Sequence, residues 1–335
     1  MKVAVFNAAS HDREALERAN LADGHPRHLL TFTEARLRPD TVDLAAGSEA
    51  VAITVHDAGD AATLRALHHR GIRLITLRSK GFDHVDLDAA RGLGMQVSAA
   101  SDYSPHSVAE HTMALLLATA RHLPRAHARL ALQDFRLEGL VGFELHGRRI
   151  GVVGTGRIGA IVARILTGFG CLVMACDPNP APSRVGTGVP YVPLAELLRS
   201  CEVVTLHCPL HPSTRHMIDG RAIACMPARS VLVNTSRGAV VDTDAVIGAL
   251  LSGHLAAFAA DVLEGEGAAF GRDLGESPLA DPIITRLLGM PNVLVTPHQA
   301  FLTREALDDI ARAVLDHCSA FEAGLPGRER LVMQI

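Results

Sequence analysis

The stretch IGVVGTGRIGAIVARILTGFGCLVMACD, Ile150 to Asp177, decides the fold. It opens on an apolar run, turns through Gly154-x-Gly156-x-x-Gly159, continues with helical apolar spacing, and ends in a second apolar run closed by Asp177. Gly154 is expected to make the tight turn and Gly156 to let backbone amides approach a pyrophosphate. Gly159 is expected to let the helix lie close to the strand. The first turn of that helix, with Arg157 and Ile158, offers unpaired N–H groups and a partial positive charge to phosphates. A carboxylate at Asp177 would accept hydrogen bonds from a ribose and repel a 2′-phosphate, favouring NAD over NADP. Pro178, Asn179 and Pro180 bring no cation to reverse that preference. A glycine turn alone is common. Strand, glycines, helix, strand and terminal acid in this order predict a dinucleotide-binding unit.

The same alternation extends in both directions. Val3 to Phe6, His28 to Phe32, Val51 to Thr54, Leu74 to Leu77 and Met95 to Ser98 read as strands. Asp12 to Asn20, Ala61 to His69 and Val85 to Leu93 read as helices between them. Repeated βα alternation means a parallel sheet covered on both faces. A long helical segment follows from Pro105 to about Gln133, and Pro124 is expected to kink or split it. It is either a buried connecting helix or a subunit-contact helix. The second array has strands at Arg149 to Val153, Leu172 to Cys176, Val203 to His207, Val231 to Asn234, Ala256 to Ala260 and Val293 to Thr296. Six strands suit a complete dinucleotide-binding sheet. The last amphipathic helix, Thr303 to Ala323, is expected to pack back on the first domain, with hinges near Ser101 and Gln299.

At 335 residues the chain has room for two domains. Apolar residues make up 48 % and charged residues 20 %, enough for a packed core with a solvated surface. A net charge of −4 gives no sign of a nucleic-acid or anionic-membrane partner. The apolar runs are too short to cross a bilayer. The opening MKVAVFN lacks the apolar core of a signal peptide, so a cytoplasmic location is expected. The six cysteines form no CxxC pair and no zinc-ligand spacing, and read as reduced apolar residues with no metal site.

The later strands of the second array each end in polar residues. VLVNTSRGAVV places Thr235, Ser236 and Arg237 past one strand, AAFAADVLEGEG places Asp261, Glu264 and Glu266 past the next, and VLVTPHQAF places His298 past the last. Ligands of open α/β sheets bind outside the carboxyl ends of the strands, so Arg237, Glu266 and His298 can converge there.

These segments, with RSKGFDHVDL at Arg78, YSPHSVAEH at Tyr103, HCPL at His207 and TPHQAFLT at Thr296, resemble the D-2-hydroxyacid dehydrogenases over nearly the whole chain. The resemblance is strongest to the fermentative D-lactate dehydrogenases. It implies an α/β protein of two doubly wound parallel-sheet domains. Residues 1–101 and 300–335 would form a discontinuous, flavodoxin-like substrate domain, and 102–299 a Rossmann NAD-binding domain. It implies reversible reduction of a small 2-oxo acid by hydride from NADH, with pyruvate and D-lactate as the expected pair. His298 would be the general acid/base, and Glu266 would hold its imidazole and favour the charged form. Arg237 would hold the substrate carboxylate and polarise the carbonyl.

By the same resemblance His207, Cys208, Pro209 and Thr214 line the cofactor, while Thr235, Ser236 and Asp261 lie near the nicotinamide. Ser79, Lys80 and Gly81 form the loop that grips the substrate carboxylate. Tyr103 and Phe301 wall the pocket, although a hinge-packing role for Tyr103 stays open. Glu264 is expected to be the solvated glutamate. Lys80, where a small residue is usual, and His11, where an aromatic is usual, leave the substrate open to glyoxylate, hydroxypyruvate or a larger 2-oxo acid. A dinucleotide-sensing regulator of the same fold is the alternative of another class. A homodimer or homotetramer is expected.

Overall fold

Short runs of Val, Ile, Leu and Ala, set between glycines and prolines, make strands that in the middle of each sheet are buried on both faces, as parallel sheets require. In the computed structural model, which describes all residues but 23, 101–103, 272, 276, 278, 326–329 and 333–335, they alternate with helices throughout. The chain begins β1 (Lys2–Val5), α1 (Ser10–Asn20), β2 (Leu29–Phe32), β3 (Ala50–Ile53), α2 (Ala61–His69), β4 (Leu74–Leu77), α3 (Leu87–Gly92) and β5 (Gln96–Ala99). Helices α4 (Pro105–Ala120) and α5 (Leu123–Ala131) follow. The second array runs β6 (Arg149–Val153), α6 (Arg157–Gly168), β7 (Leu172–Cys176), α7 (Pro182–Val185), α8 (Leu194–Ser200), β8 (Val203–Leu206) and α9 (Gly220–Ala224). It continues through β9 (Ser230–Asn234), α10 (Thr243–Leu251), β10 (Leu255–Ala260), α11 (Pro282–Leu288) and β11 (Val293–Val295), and the chain closes with α12 (Arg304–Glu322) and β12 (Arg330–Val332). Two units result, Met1–Ser104 with Leu302–Ile335, and Pro105–Phe301.

The sheet of the first unit has the order β12-β5-β4-β3-β1-β2. Five strands are parallel and β12 is antiparallel to β5. The winding reverses between β1 and β3, as in other doubly wound sheets. Helix α12 lies against α1, β4 and β5. It buries Ile310, Val314, Leu315 and Cys318, and its buried His317 meets Thr76 Oγ1 of β4 at 3.1 Å through Nδ1. Thr303 caps this helix by accepting from the Ala306 amide, a contact worth about 1 kcal/mol.

Arg78, just past β4, knots the carboxyl ends of this sheet. Its Nη2 donates to the carbonyls of Phe6 and Asn7, and its Nη1 stands 2.6 Å from Asp12 Oδ1 at the start of α1. Asp57, 3 % exposed, accepts from the amides of Thr54 (2.7 Å) and Leu37 (2.8 Å). Burial raises the Asp57 carboxyl above its ordinary range, against the pull of those amides and of Arg78.

The second unit holds a wholly parallel sheet in the order β11-β10-β9-β8-β6-β7, reversing between β6 and β8. Outside β7 lies one further parallel bridge, Ala175 to Tyr191. Ala175 N donates to Pro190 O and Val192 N to Ala175 O, each at 2.9 Å. Counting that bridge, the sheet follows the 3-2-1-4-5-6 order of dinucleotide-binding folds with one strand added at the far edge. The third position shrinks to a bridge because Pro190 and Pro193 lack the N–H that a ladder needs.

The long helical segment is split beside Pro124, as its sequence leads one to expect: the break falls at His122, which adopts a left-handed φ of +51°, and Pro124 sits in the first turn of α5. A first-turn proline costs the helix no hydrogen bond. Strand β12 was not foreseen. Among the described residues, no helix is long and apolar enough to cross a membrane.

Removing Arg78 leaves Asp12 and two backbone carbonyls without their cation in a nearly closed site. Arg78→Met is expected to lower unfolding stability by about 3–5 kcal/mol, read as a shift in the urea midpoint. A midpoint unchanged within error would show that the Arg78 cluster does not hold the first unit together.

Candidate active site

The glycine turn is shaped by what surrounds it. Gly154 takes a φ of +87°, and its amide donates to Cys176 O at 2.8 Å, tying the turn to the end of β7. A Cβ on Gly154 would stand 2.7 Å from the His207 carbonyl carbon, and one on Gly159 would overlap the Gly154 carbonyl oxygen. Packing therefore demands both glycines. At Gly156, the residue before α6, a Cβ would meet nothing within 4 Å, and no side chain caps the helix. That leaves room, with helix amides and their partial positive charge behind it, for a phosphate. Arg157 is exposed and Ile158 half-buried in the first turn.

Asp177, directly after β7, is held in place beside the turn. Its Oδ2 accepts from Thr155 N (2.7 Å) and Thr155 Oγ1 (3.2 Å), and its Oδ1 from Asn179 N (2.8 Å). Tyr191 in turn donates its hydroxyl to Thr155 Oγ1 at 2.9 Å. The cradle, the uncapped helix end and the fixed acid suit a dinucleotide with an unphosphorylated ribose.

His207 stands past β8, against the glycine turn. Its Nε2 pairs with Thr205 Oγ1 at 2.9 Å, while its Nδ1 is buried with no hydrogen-bond partner among the described residues. Burial drives this imidazole from its ordinary 6.5 down to about 3, so it is neutral at physiological pH. Burial likewise pushes the neighbouring Cys208 thiol up to about 11. Thr214 closes its own loop, donating to Pro209 O at 2.7 Å and accepting from His211 N at 2.8 Å.

The other half of the edge belongs to the neighbouring strands β9, β10 and β11. Past β9, Thr235 Oγ1 meets Thr112 Oγ1 of α4 at 2.8 Å. Asn234 Oδ1 accepts from the amide and hydroxyl of Ser236, and Arg237 Nη1 donates to Ser236 O at 2.8 Å. Gly238 lies so close to Leu263 and Glu264 that a Cβ would overlap their backbone, bringing the Arg237 loop against the Glu266 loop. Past β10, Glu266 Oε2 accepts from Leu263 N at 2.6 Å and Glu266 Oε1 meets His298 Nδ1 at 2.5 Å. Both side chains are largely buried. A carboxylate only accepts, so Nδ1 carries the hydrogen and Nε2 is the nitrogen whose protonation can change.

The pattern that defines the D-isomer specific 2-hydroxyacid dehydrogenase NAD binding domain matches residues 113–300. The chain belongs to that family. D-lactate dehydrogenase of Escherichia coli (strain K12) is 40 % identical over 324 residues, 97 % of this chain and 98 % of that protein. A 2-hydroxyacid dehydrogenase homolog of Zymomonas mobilis is 41 % identical over 334 residues, covering 99 % of this chain and all of its own. The solved pyruvate reductase of Chlamydomonas reinhardtii superposes with a TM-score of 0.91 at 39 % identity, covering 98 % of both chains. The two-domain α/β fold and the NAD-binding character read from the sequence hold for this dehydrogenase.

The Asp261 side chain is 1 % exposed, and its carboxylate accepts from three donors of the His298 loop. Glu264 is not simply solvated, since it pairs with Arg215 at 2.6 Å and His216 at 2.7 Å. In the first unit, Ser79 Oγ donates to Gly81 O at 2.8 Å, Gly81 is buried and Lys80 is exposed. His11 stands 3.6 Å from Asp12. Phe301 is half-buried, and Tyr103 lies outside the described residues. Sequence reasoning missed Tyr191, Thr155, Thr205 and Thr112. No local motif marks them, because their partners come from other strands.

His207 gives a pH test. Its folded value lies below the unfolded one, so both states are neutral above pH 6.5. The unfolded chain binds the extra proton between 6.5 and about 3, and stability falls with pH across that window. Wild type should lose stability relative to His207→Gln as pH drops from 6.5 to 4, by at most ~1.4 kcal/mol per pH unit. Parallel urea-unfolding curves at pH 7, 5.5 and 4.5 read it, and a constant difference across them would rule the buried neutral imidazole out.

Proposed function

We propose that this chain reduces pyruvate to D-lactate reversibly, with NADH as the hydride donor. The observation that carries the reading is the 2.5 Å contact between His298 Nδ1 and Glu266 at the carboxyl end of the sheet that holds the dinucleotide cradle. When bound, the reduced nicotinamide supplies a hydride to the C2 carbon of the 2-oxo acid. Negative charge then grows on the carbonyl oxygen, and His298 gives it the Nε2 proton. In the other direction neutral His298 takes the hydroxyl proton. Glu266, itself held by the Leu263 amide, fixes the ring through Nδ1 and leaves Nε2 for the proton transfer. Arg237 grips the substrate carboxylate, for which a planar guanidinium is suited. Phe301, in the same unit as Arg237, walls the substrate. Thr235, Ser236, His207, Cys208, Pro209 and Thr214 line the cofactor side.

We read the protein as a cytoplasmic homodimer or homotetramer. Its free cysteines suit a reducing compartment. Leu132, Phe135, Leu137 and Val141, just past α5, are each more than 70 % exposed in the single chain, and an apolar patch of this kind marks an association surface.

Initial rates with NADH and pyruvate, glyoxylate, hydroxypyruvate or phenylpyruvate, side by side, test the substrate. Pyruvate should give the highest kcat/KM, and no turnover of any acid would favour a regulator. His298→Ala should lower kcat by ~10²–10⁴-fold with NADH binding retained. Arg237→Lys should raise the KM for the 2-oxo acid by roughly 10–100-fold. Light scattering should return twice or four times the chain mass, and a monomer at micromolar concentration would exclude the assembly.

A further inference from the structure

The loop that carries His298 is anchored from a helix distant in sequence. His298 itself adopts a left-handed φ of +57°, costing a non-glycine residue roughly 1–2 kcal/mol. Its amide donates to Asp261 O and Thr296 O, each at 2.9 Å. Asp261 Oδ1 accepts from Gln299 N at 2.8 Å and from Thr296 Oγ1 at 2.6 Å, and Oδ2 accepts from Ala300 N at 2.9 Å. Hydrogen bonds to a charged acceptor contribute about 1.5–3 kcal/mol each, enough to hold the unfavourable backbone.

The proton count extends the network by one residue. A threonine hydroxyl has one hydrogen, and that of Thr296 points at Asp261. Toward His111, whose Nε2 lies 3.0 Å away, Thr296 Oγ1 can therefore only accept. Nε2 of His111 must carry a hydrogen, which also faces Asp261 Oδ1 at 3.5 Å. His111 sits on α4, a helix packed against β9, β10 and β11. Its neighbour Thr112 reaches Thr235 past β9. One turn of α4 thus braces both the loop before Arg237 and the loop of His298.

We propose that His111 is a positioning residue for the reaction. Its Nε2–H fixes the Thr296 hydroxyl, the hydroxyl stays on Asp261, and Asp261 holds residues 296–300 in the conformation that seats His298 on Glu266. The proposal rests on the reading of His298 as the acid. Displacement of a reacting group by about 1 Å can cost ~10²-fold in rate.

The test uses the full chain with His111→Ala, His111→Gln, His298→Ala and the His111→Ala/His298→Ala pair. Glutamine keeps an N–H donor near the Nε2 position. His111→Ala should lower kcat roughly 10–100-fold with NADH affinity within about twofold, and His111→Gln should recover most of the loss. Added to His298→Ala, the His111→Ala change should cost nothing further, since it acts through the residue already removed. Hydrogen exchange of the segment containing Gln299 and Ala300 should quicken in His111→Ala and return toward wild type in His111→Gln. Exchange that is the same in all three overturns the proposal whatever the rates do. So does a His111→Gln variant as impaired as His111→Ala, or a His111→Ala enzyme with wild-type kcat beside an inactive His298→Ala. Full turnover by His298→Ala would instead sink the assignment of the acid, leaving hydrogen exchange to decide on His111.

Discussion

A carboxylate buried at the end of β10 governs the His298 end of the second unit. Asp261 would be costly to bury alone, since an isolated charge in the interior is held only by partners that replace water. Here the partners are the Thr296 hydroxyl and the Gln299 and Ala300 amides, all from one short loop. Satisfying the charge and shaping the loop are thus the same event. The left-handed His298 follows from that shape, and from it the direction of the imidazole toward Glu266. A local change to the loop disturbs the donors on which this buried charge chiefly depends.

The strand order links this end to the cofactor end. Asp177 follows β7, the glycine turn follows β6, His207 follows β8, and Arg237, Glu266 and His298 follow β9, β10 and β11. All six positions lie on one carboxyl edge because every strand of the sheet is parallel. At ~4.8 Å between strands, β7 to β10 spans roughly 19 Å. An extended ligand laid along that edge meets the acid first, the helix amides next, and the histidine last. The neutral buried His207 lies between the two ends, packed against the glycine turn.

Much of this was legible in the sequence, for physical reasons that also explain the gaps. Strands β4 and β6 fall where the apolar runs end in a polar residue or a glycine, since nearly every side chain along them is buried. The cradle was legible because Gly154 and Gly159 are forced by packing. Glu266 and His298 were legible from their places past neighbouring strands. The split of the long helix was legible from Pro124, though not its exact place at His122. Strand β12 was not legible, being three residues long and recruited antiparallel at the edge. The partners of Asp261, Glu264 and Asp177 come from remote segments, and residue type alone does not say which carboxylate is turned inward.

The single bridge at Tyr191 also decides how the second sheet can grow. Beside β7 the chain runs Pro190, Tyr191, Val192, Pro193, and neither proline has an amide hydrogen to offer an incoming segment. Pro193 removes one outward amide beside Tyr191, which blunts strand addition at that margin, the usual route by which open sheets recruit foreign chains into aggregates.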